Sequence, residues 1–217
     1  MTRADTGRAS WHGATVVWAP AERPRGFTDG DLAAMGTGQS HRLAELSGAR
    51  ADAFVAGRAL IRGLVREVSG RSEVSIDSRC ERCGRHHAAP RADGVSLSVS
   101  HTEGLVVAAA APWPASVGVD IEPSSSAARV AELASLFAPA AAPDLAGWTR
   151  LEAALKADGR GLDVDLGTVR MLPAPGPDSG PGSRSAPWSV LLPGRASAIT
   201  AATVAGPVGH TLSVALG

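Results

Sequence analysis

The sequence predicts an α+β fold of two similar halves, residues 1–112 and 113–217, meeting near Trp113. Three observations predict it. Apolar and polar residues alternate through Val95–Ser100 and through Gly118–Glu122, the period of strands. Ala53, Ala56, Leu60 and Leu64 follow a helical spacing within 49–68. The coarse order is strand, long helix, strands, helices, strands, which separates one helix-and-strand group from another.

Taken in order, the first strand is Thr15–Trp18, ended by Pro20. The helix over 49–68 carries Arg58, Arg62 and Arg66 four apart on one face. Such a face is either solvated or, beside an acidic site, the start of a phosphate clamp. Ser75 and Ile76 open a short strand before the cysteine loop. Val95–Ser100 is a half-buried strand and Leu105–Ala110 its returning partner in a hairpin. That places His101 at a strand-to-turn junction, where side chains reach clefts. Ser124–Ser126 offer N-caps for a helix through Arg129, Leu133 and Phe137, stopped by Pro139. A second helix begins between Leu145 and Trp148 and runs to Asp158, closed by Gly159. Thr168–Leu172, Trp188–Leu192, Ile199–Val204 and Thr211–Ala215 are short strands, interrupted by a Pro/Gly/Ser insert over Pro173–Pro187 that reads as a mobile loop.

Composition narrows the function classes. The 217 residues include 21 basic and 21 acidic side chains, a balance that argues against a general nucleic-acid binder but allows a local anion pocket. No stretch near the start reads as a signal peptide, and the longest apolar run, Leu105–Pro114, is half of what a bilayer requires, so a cytoplasmic, non-membrane protein is expected. The only cysteines, Cys80 and Cys83, could supply half of a zinc site completed by His86 and His87, or a dithiol. Four ligands in eight residues demand a tight knuckle, and a plain loop with two dispensable thiols is the expectation.

The chemistry concentrates around Gly118–Glu122. Asp120 and Glu122 share one side of a strand, roughly 7 Å apart, with Val119 and Ile121 on the other. Two carboxylates so placed repel unless something positive lies between them, and a hard divalent cation is the usual solution. A solvated strand end before a Pro-Ser turn is the alternative. On the later helix Trp148, Glu152 and Lys156 stand four apart on one face. Glu152 and Lys156 are either a surface ion pair or, beside that aromatic and the Asp158–Leu162 turn, part of a site.

Three motifs in this order resemble the phosphopantetheinyl transferases of the surfactin-synthetase-activating, broad-range type. They are Ser100-His101-Thr102 for S-H-S, Gly118-Val119-Asp120-Ile121-Glu122 for G-[IV]-D-[IV]-E, and Trp148 to Gly161 for W-[ST]-x-K-E-[AS]-x-x-K-x-x-G-x-G. The C-x-x-C-G-x-x-H loop, here Cys80 to His87, is similar to that of actinobacterial members, in which it carries no known metal. The resemblance spans roughly residues 15 to 215. It implies two pseudo-symmetric halves, each a small antiparallel sheet packed against a long helix, with coenzyme A and Mg²⁺ in the cleft between them. Asp120, Glu122 and Glu152 would be the Mg²⁺ ligands, His101 and Lys156 would contact coenzyme A phosphates, and Arg58, with Arg42 and Arg50, would hold the 3′-phosphate region. Glu152, Lys156 and His101 would be the catalytic set. The implied reaction is transfer of phosphopantetheine from coenzyme A to a serine of an apo acyl or peptidyl carrier protein, by a cytoplasmic enzyme of secondary metabolism such as antibiotic biosynthesis, working as a monomer.

Two departures stand out: the family's lysine before the helix glutamate is Leu151, and its G-K-P lysine position falls at Ala89-Pro90. Two lost cations would cost transition-state stabilisation. Two alternatives therefore stay open: a weakened relative that binds coenzyme A or a carrier protein, and a Mg²⁺-dependent phosphohydrolase built on the same carboxylates.

Overall fold

The computed structural model describes residues 6–138, 142–174 and 186–217, with residue 162 described by its backbone alone. Most of the Pro/Gly/Ser insert, and Pro139 as a helix stop, lie outside these residues. Two pseudo-symmetric halves are present, each a small antiparallel sheet packed against a long helix.

In the first half, β1 (Gly7–Trp11), β2 (Ala14–Pro20), β3 (Val95–Thr102) and β4 (Leu105–Pro112) form a sheet of order β1-β2-β4-β3. Helices α1 (Asp29–Ala34) and α2 (Thr37–Ala44) precede the long α3 (Gly48–Ser69). Gly70 ends α3 in the left-handed conformation at φ 70°, a C-terminal stop that a β-carbon would strain. In the second half, β5 (Val117–Pro123), β6 (Arg170–Pro173), β7 (Trp188–Leu191), β8 (Ile199–Val204) and β9 (His210–Leu216) form a sheet of order β5-β9-β8-β7-β6. Between β5 and β6 come α4 (Ala127–Glu132) and α5 (Leu145–Asp158). The Asp144 side chain accepts from the Gly147 N–H to cap α5, and Gly159 at φ 85° closes it.

Some elements differ from expectation. β1, α1 and α2 are absent from the sequence reading, because none carries a sustained apolar period. Ser75 and Ile76 form no strand; the chain there makes only an isolated bridge from Asp77 to Arg91. The helix expected through Phe137 breaks into α4 and flanking 3-10 turns at Ser124–Ser126 and Leu133–Phe137, and no serine side chain caps it.

Three apolar clusters order the layers. Ile61, Leu64 and Val65 of α3 pack on Leu97, Ala108 and Ala110 of the first sheet. Leu151, Ala154 and Leu155 of α5 pack on Val190, Ile199 and Ala215 of the second. The third cluster joins the halves: Val16, Leu105, Val107 and Ala109 meet Val117, Val119, Ile121, Leu212 and Val214. β4 is therefore buried on both faces, which accounts for its unbroken apolar run.

Edge strands β3 and β5 lie side by side at the junction, in different sheets. Serine hydroxyls bridge them: the Val119 N–H donates to Ser98 Oγ at 3.0 Å, and Ser100 Oγ donates to Asp120 Oδ1 at 2.8 Å. Ser98 and Ser100 are buried for this reason, although their alternation with apolar residues reads as a solvent-facing stripe.

Gly118 sets the approach of α5 to β5. A β-carbon there would lie 1.8 Å from the Ala153 carbonyl oxygen and 2.6 Å from the Ala157 nitrogen, both backbone atoms of α5. Gly118→Ala is expected to destabilise the protein by about 3 kcal/mol or more, because helix backbone yields less readily than a side chain; urea unfolding of the two proteins measures it, and an unchanged midpoint would contradict the close packing.

Candidate functional site

A polar centre at the junction of the halves is assembled by β5, β3 and α5. Asp120, 2% exposed, accepts at Oδ1 from Lys156 Nζ at 2.7 Å and from Ser100 Oγ at 2.8 Å. Lys156 Nζ also donates to Ser100 Oγ at 3.0 Å. Asp120 Oδ2 is buried without a hydrogen-bond partner. One turn before Lys156 on α5, Glu152 is half-buried beside this carboxylate, and its carboxyl is pushed up to about 7. Burial is the first cause; the charge of Asp120 follows, opposed by Lys156, and Glu122 adds a further push.

Glu122, two residues along β5, is held differently. Its Oε2 accepts from Ser126 Oγ at 2.7 Å, and Arg129 Nη2 donates to both carboxylate oxygens at 3.1 and 3.0 Å. Ser126, expected as a helix cap, thus serves a carboxylate instead. With Glu122 turned to Arg129, the oxygens of Asp120, Glu122 and Glu152 do not all come within 4.8 Å of one another; among the described residues only Cys80, Cys83 and His87 form such a set.

Arg42, Arg50, Arg58 and His101 line one cleft of about 1030 Å³, to which Glu122, Ser126 and Arg129 also contribute. The cleft runs from α2 and α3 past the β3–β4 turn to the end of β5. Arg50 and His101 are exposed, whereas Arg58 is 7% exposed. Arg58 Nε donates to Gln39 Oε1 at 2.6 Å, and its guanidinium lies 4.5 Å from the centre of the Phe54 ring. Burial, and then the nearby Arg42 charge, lower its pKa to about 10. Arg42 pairs with Glu45 at 2.8 Å. The other two arginines of the α3 row do not join the cleft lining: Arg62 binds Asp31 at 2.7 Å and Arg66 donates to the Ser72 carbonyl.

Leu151 is fully buried in the apolar cluster under α5. The position where the resemblance implies a lysine is here a core position, so the leucine contributes packing. Arg150 is also buried, with its guanidinium 5.4 Å from the Trp188 ring centre. Ala89 and Pro90 are not part of the cleft lining.

The cysteine loop forms the tight knuckle that the sequence argued against. The Cys80 N–H donates to the Arg85 carbonyl at 2.7 Å, the Gly84 N–H donates to the Cys80 carbonyl at 2.8 Å, and Gly84 takes φ 74°. Cys83 Sγ lies 3.0 Å from His87 Nε2. Backbone N–H groups of Cys83 and Arg82 turned to the Cys80 sulfur hold its thiol below the usual range. Cys80, Cys83 and His87 thus have the spacing to hold a metal ion. His86 is directed elsewhere, against Gly38 of α2 and 5.9 Å from the His41 ring.

Several partners escaped the sequence reading. Gln39, Ser98 and Arg129 carry no motif, and the burial of Gln39 depends on distant contacts with Ile76 and Ser78.

Comparison with known proteins finds no family model and no curated relative that matches the chain. The two-lobed α+β fold, with a small sheet against a helix in each half, is the architecture that the broad class of phosphopantetheinyl-transferase-like proteins implies. No helix among the described residues is long and apolar enough to cross a membrane.

The raised Glu152 carboxyl has a consequence for stability. Its folded pKa of about 7 exceeds the ordinary 4.5, so its contribution is complete below 4.5 and is lost as pH rises through about 7. In metal-free protein the urea midpoint should therefore fall between about pH 5 and about pH 8, and Glu152→Gln should flatten that slope. Equal slopes in the two proteins would place the Glu152 carboxyl in an ordinary environment.

Proposed function

We propose that this chain transfers the 4′-phosphopantetheine group from coenzyme A to a serine of an apo acyl or peptidyl carrier protein, releasing adenosine 3′,5′-bisphosphate, with Mg²⁺ as cofactor. The observation that carries the reading is the junction of a cation-lined cleft with the buried carboxylate of Asp120, Glu122 standing in the cleft wall two residues away. Residues 1–112 would supply most of the cleft, and 113–217 the carboxylates.

The donor set suits Mg²⁺. Asp120 presents a buried oxygen with no partner, and Glu152 is driven to keep a proton by burial and then by its carboxylate neighbours. A hard cation among oxygen ligands relieves both. Asp120, Glu152 and Glu122 would hold it, Glu122 by exchanging Arg129 for the ion. Bound there, Mg²⁺ would offset the charge of a pyrophosphate.

The chain's own groups account for the rest. Arg42, Arg50, Arg58 and His101 bind the phosphates at the nucleotide end, Arg58 held in place by Gln39. Lys156, fixed by Asp120 and Ser100, directs its charge to the leaving phosphate. The carrier serine oxygen bonds to the β-phosphorus while the bond from that phosphorus to the bridging oxygen breaks. The electron pair departs on adenosine 3′,5′-bisphosphate, and the serine proton passes to Glu152. A carboxylate placed there can accept that proton directly or through a water.

Incubation of the chain with coenzyme A, Mg²⁺ and an apo carrier protein should add the mass of one phosphopantetheine to the carrier. Asp120→Ala should abolish the gain, and Arg50→Ala, on an exposed position, should raise the KM for coenzyme A about tenfold or more with a smaller effect on kcat. No gain across several carriers despite coenzyme A binding would favour a binding protein, and phosphate release without carrier would favour a phosphohydrolase.

A further inference from the structure

We infer that Cys80, Cys83 and His87 form a zinc site that clips the loop between α3 and β3 onto α2, with solvent as the fourth ligand. The inference rests on the loop alone and does not depend on the transfer reaction.

The donor set is two thiols and an imidazole, the chemistry that selects zinc over Mg²⁺. Tetrahedral zinc, about 2.3 Å from sulfur and about 2.0 Å from nitrogen, spaces its donors about 3.5–3.8 Å apart. The three donor atoms here lie within 4.8 Å of one another, with sulfur and nitrogen of Cys83 and His87 already 3.0 Å apart. Small side-chain rotations separate that geometry from a coordination sphere. The backbone is shaped for the same purpose: the N–H groups of Arg82 and Cys83 face the Cys80 sulfur, and Gly84 supplies the left-handed turn that brings the chain back to His87.

Three ligands leave one position. His86 does not fill it, because its ring packs against Gly38, and no further His, Cys, Asp or Glu joins the set among the described residues. Cys83 and His87 are exposed, so water has access.

The knuckle's attachments show what the ion would hold. Arg85 pairs with Glu45 at 3.0 Å, just past the end of α2. Ile76 and Ser78, immediately before the knuckle, accept from Gln39 Nε2 at 2.8 and 3.3 Å. Since Gln39 is also the acceptor for Arg58, a fixed knuckle fixes the floor of the cationic cleft.

The untagged full chain, expressed with zinc and purified under reducing conditions, should contain one zinc per molecule by elemental analysis. Replacement by Co²⁺ should give a thiolate-to-cobalt charge-transfer band with tetrahedral d–d absorption. Cys83→Ser and His87→Ala should each lose most of the metal and lower Tm, whereas His86→Ala should retain it. Addition of a chelator to the parent chain should lower Tm by a similar amount, a measurement that does not depend on any variant folding. Metal below about a tenth of an equivalent after zinc addition, a cobalt complex without the thiolate band, a Cys80–Cys83 disulfide in the protein purified with reductant, or equal loss from His86→Ala and His87→Ala would each overturn the site.

Discussion

The burial of Asp120 is the constraint on which the two halves depend. A carboxylate 2% exposed is costly to bury unless paired and hydrogen-bonded. Its hydrogen-bond partners come from two other elements, Lys156 from α5 and Ser100 from β3. Each requirement fixes a piece of architecture. Lys156 reaches the carboxylate only if α5 lies against β5, and that contact exists because Gly118 lacks a β-carbon. Ser100 reaches it only if β3 and β5 lie side by side, which the Ser98 bridge to the Val119 N–H secures two residues earlier. The net stability of such a pair is small, but removing one partner typically costs about 3–5 kcal/mol. The Asp120 group therefore acts less as glue than as a register pin for the junction.

Charge is segregated although the chain as a whole is neutral. The acidic side gathers Asp120, Glu152 and Glu122 at the end of β5, and the basic side gathers Arg42, Arg50, Arg58 and His101 around the adjoining cleft. Arg129 sits where the two meet and neutralises Glu122. An arrangement of this kind favours a ligand that is itself anionic and needs a cation at one end. Arg58 shows how firmly the basic side is built: a guanidinium kept buried by Gln39 and the Phe54 ring is positioned before any ligand arrives. Preorganisation of that sort separates a site from a solvated arginine face.

The sequence made the long elements legible because their periods are strong. α3, β3, β4, β5, α5, β8 and β9 follow directly from where apolar residues recur, and Gly70 and Gly159 mark the two helix ends. The candidate residues were legible only as motifs. Nothing local to Glu122 indicates that Arg129 and Ser126 would hold it, since both lie on a helix-turn whose period reads as a cap and a continuous helix. Ser98 and Ser100 were hidden by a different ambiguity: period-two alternation cannot distinguish a polar stripe facing water from one facing another sheet. The cysteine knuckle was underestimated because its frame is not apolar; it is a set of backbone hydrogen bonds, invisible to any hydrophobic pattern.

Helix α5 explains why Glu152 and Lys156 are not the surface ion pair that their spacing suggests. Trp148, Leu151, Ala153, Ala154, Leu155 and Ala157 are all buried, so the helix is enclosed on most of its circumference. Polar side chains on such a helix are only partly open to solvent and find partners inside. Lys156 does so by bonding Asp120 across the gap to β5 rather than Glu152 on its own helix. Glu152 is left without that cation at hydrogen-bonding distance, and burial first, then the charge of Asp120, raises its carboxyl. A lysine at the Leu151 position would have to bring its charge into the apolar cluster that Leu151 fills, at a desolvation cost that no neighbour in that cluster offsets. Leucine there and lysine at 156 are thus two answers to one question, which sides of α5 meet the sheet's apolar residues and which meets its single buried carboxylate.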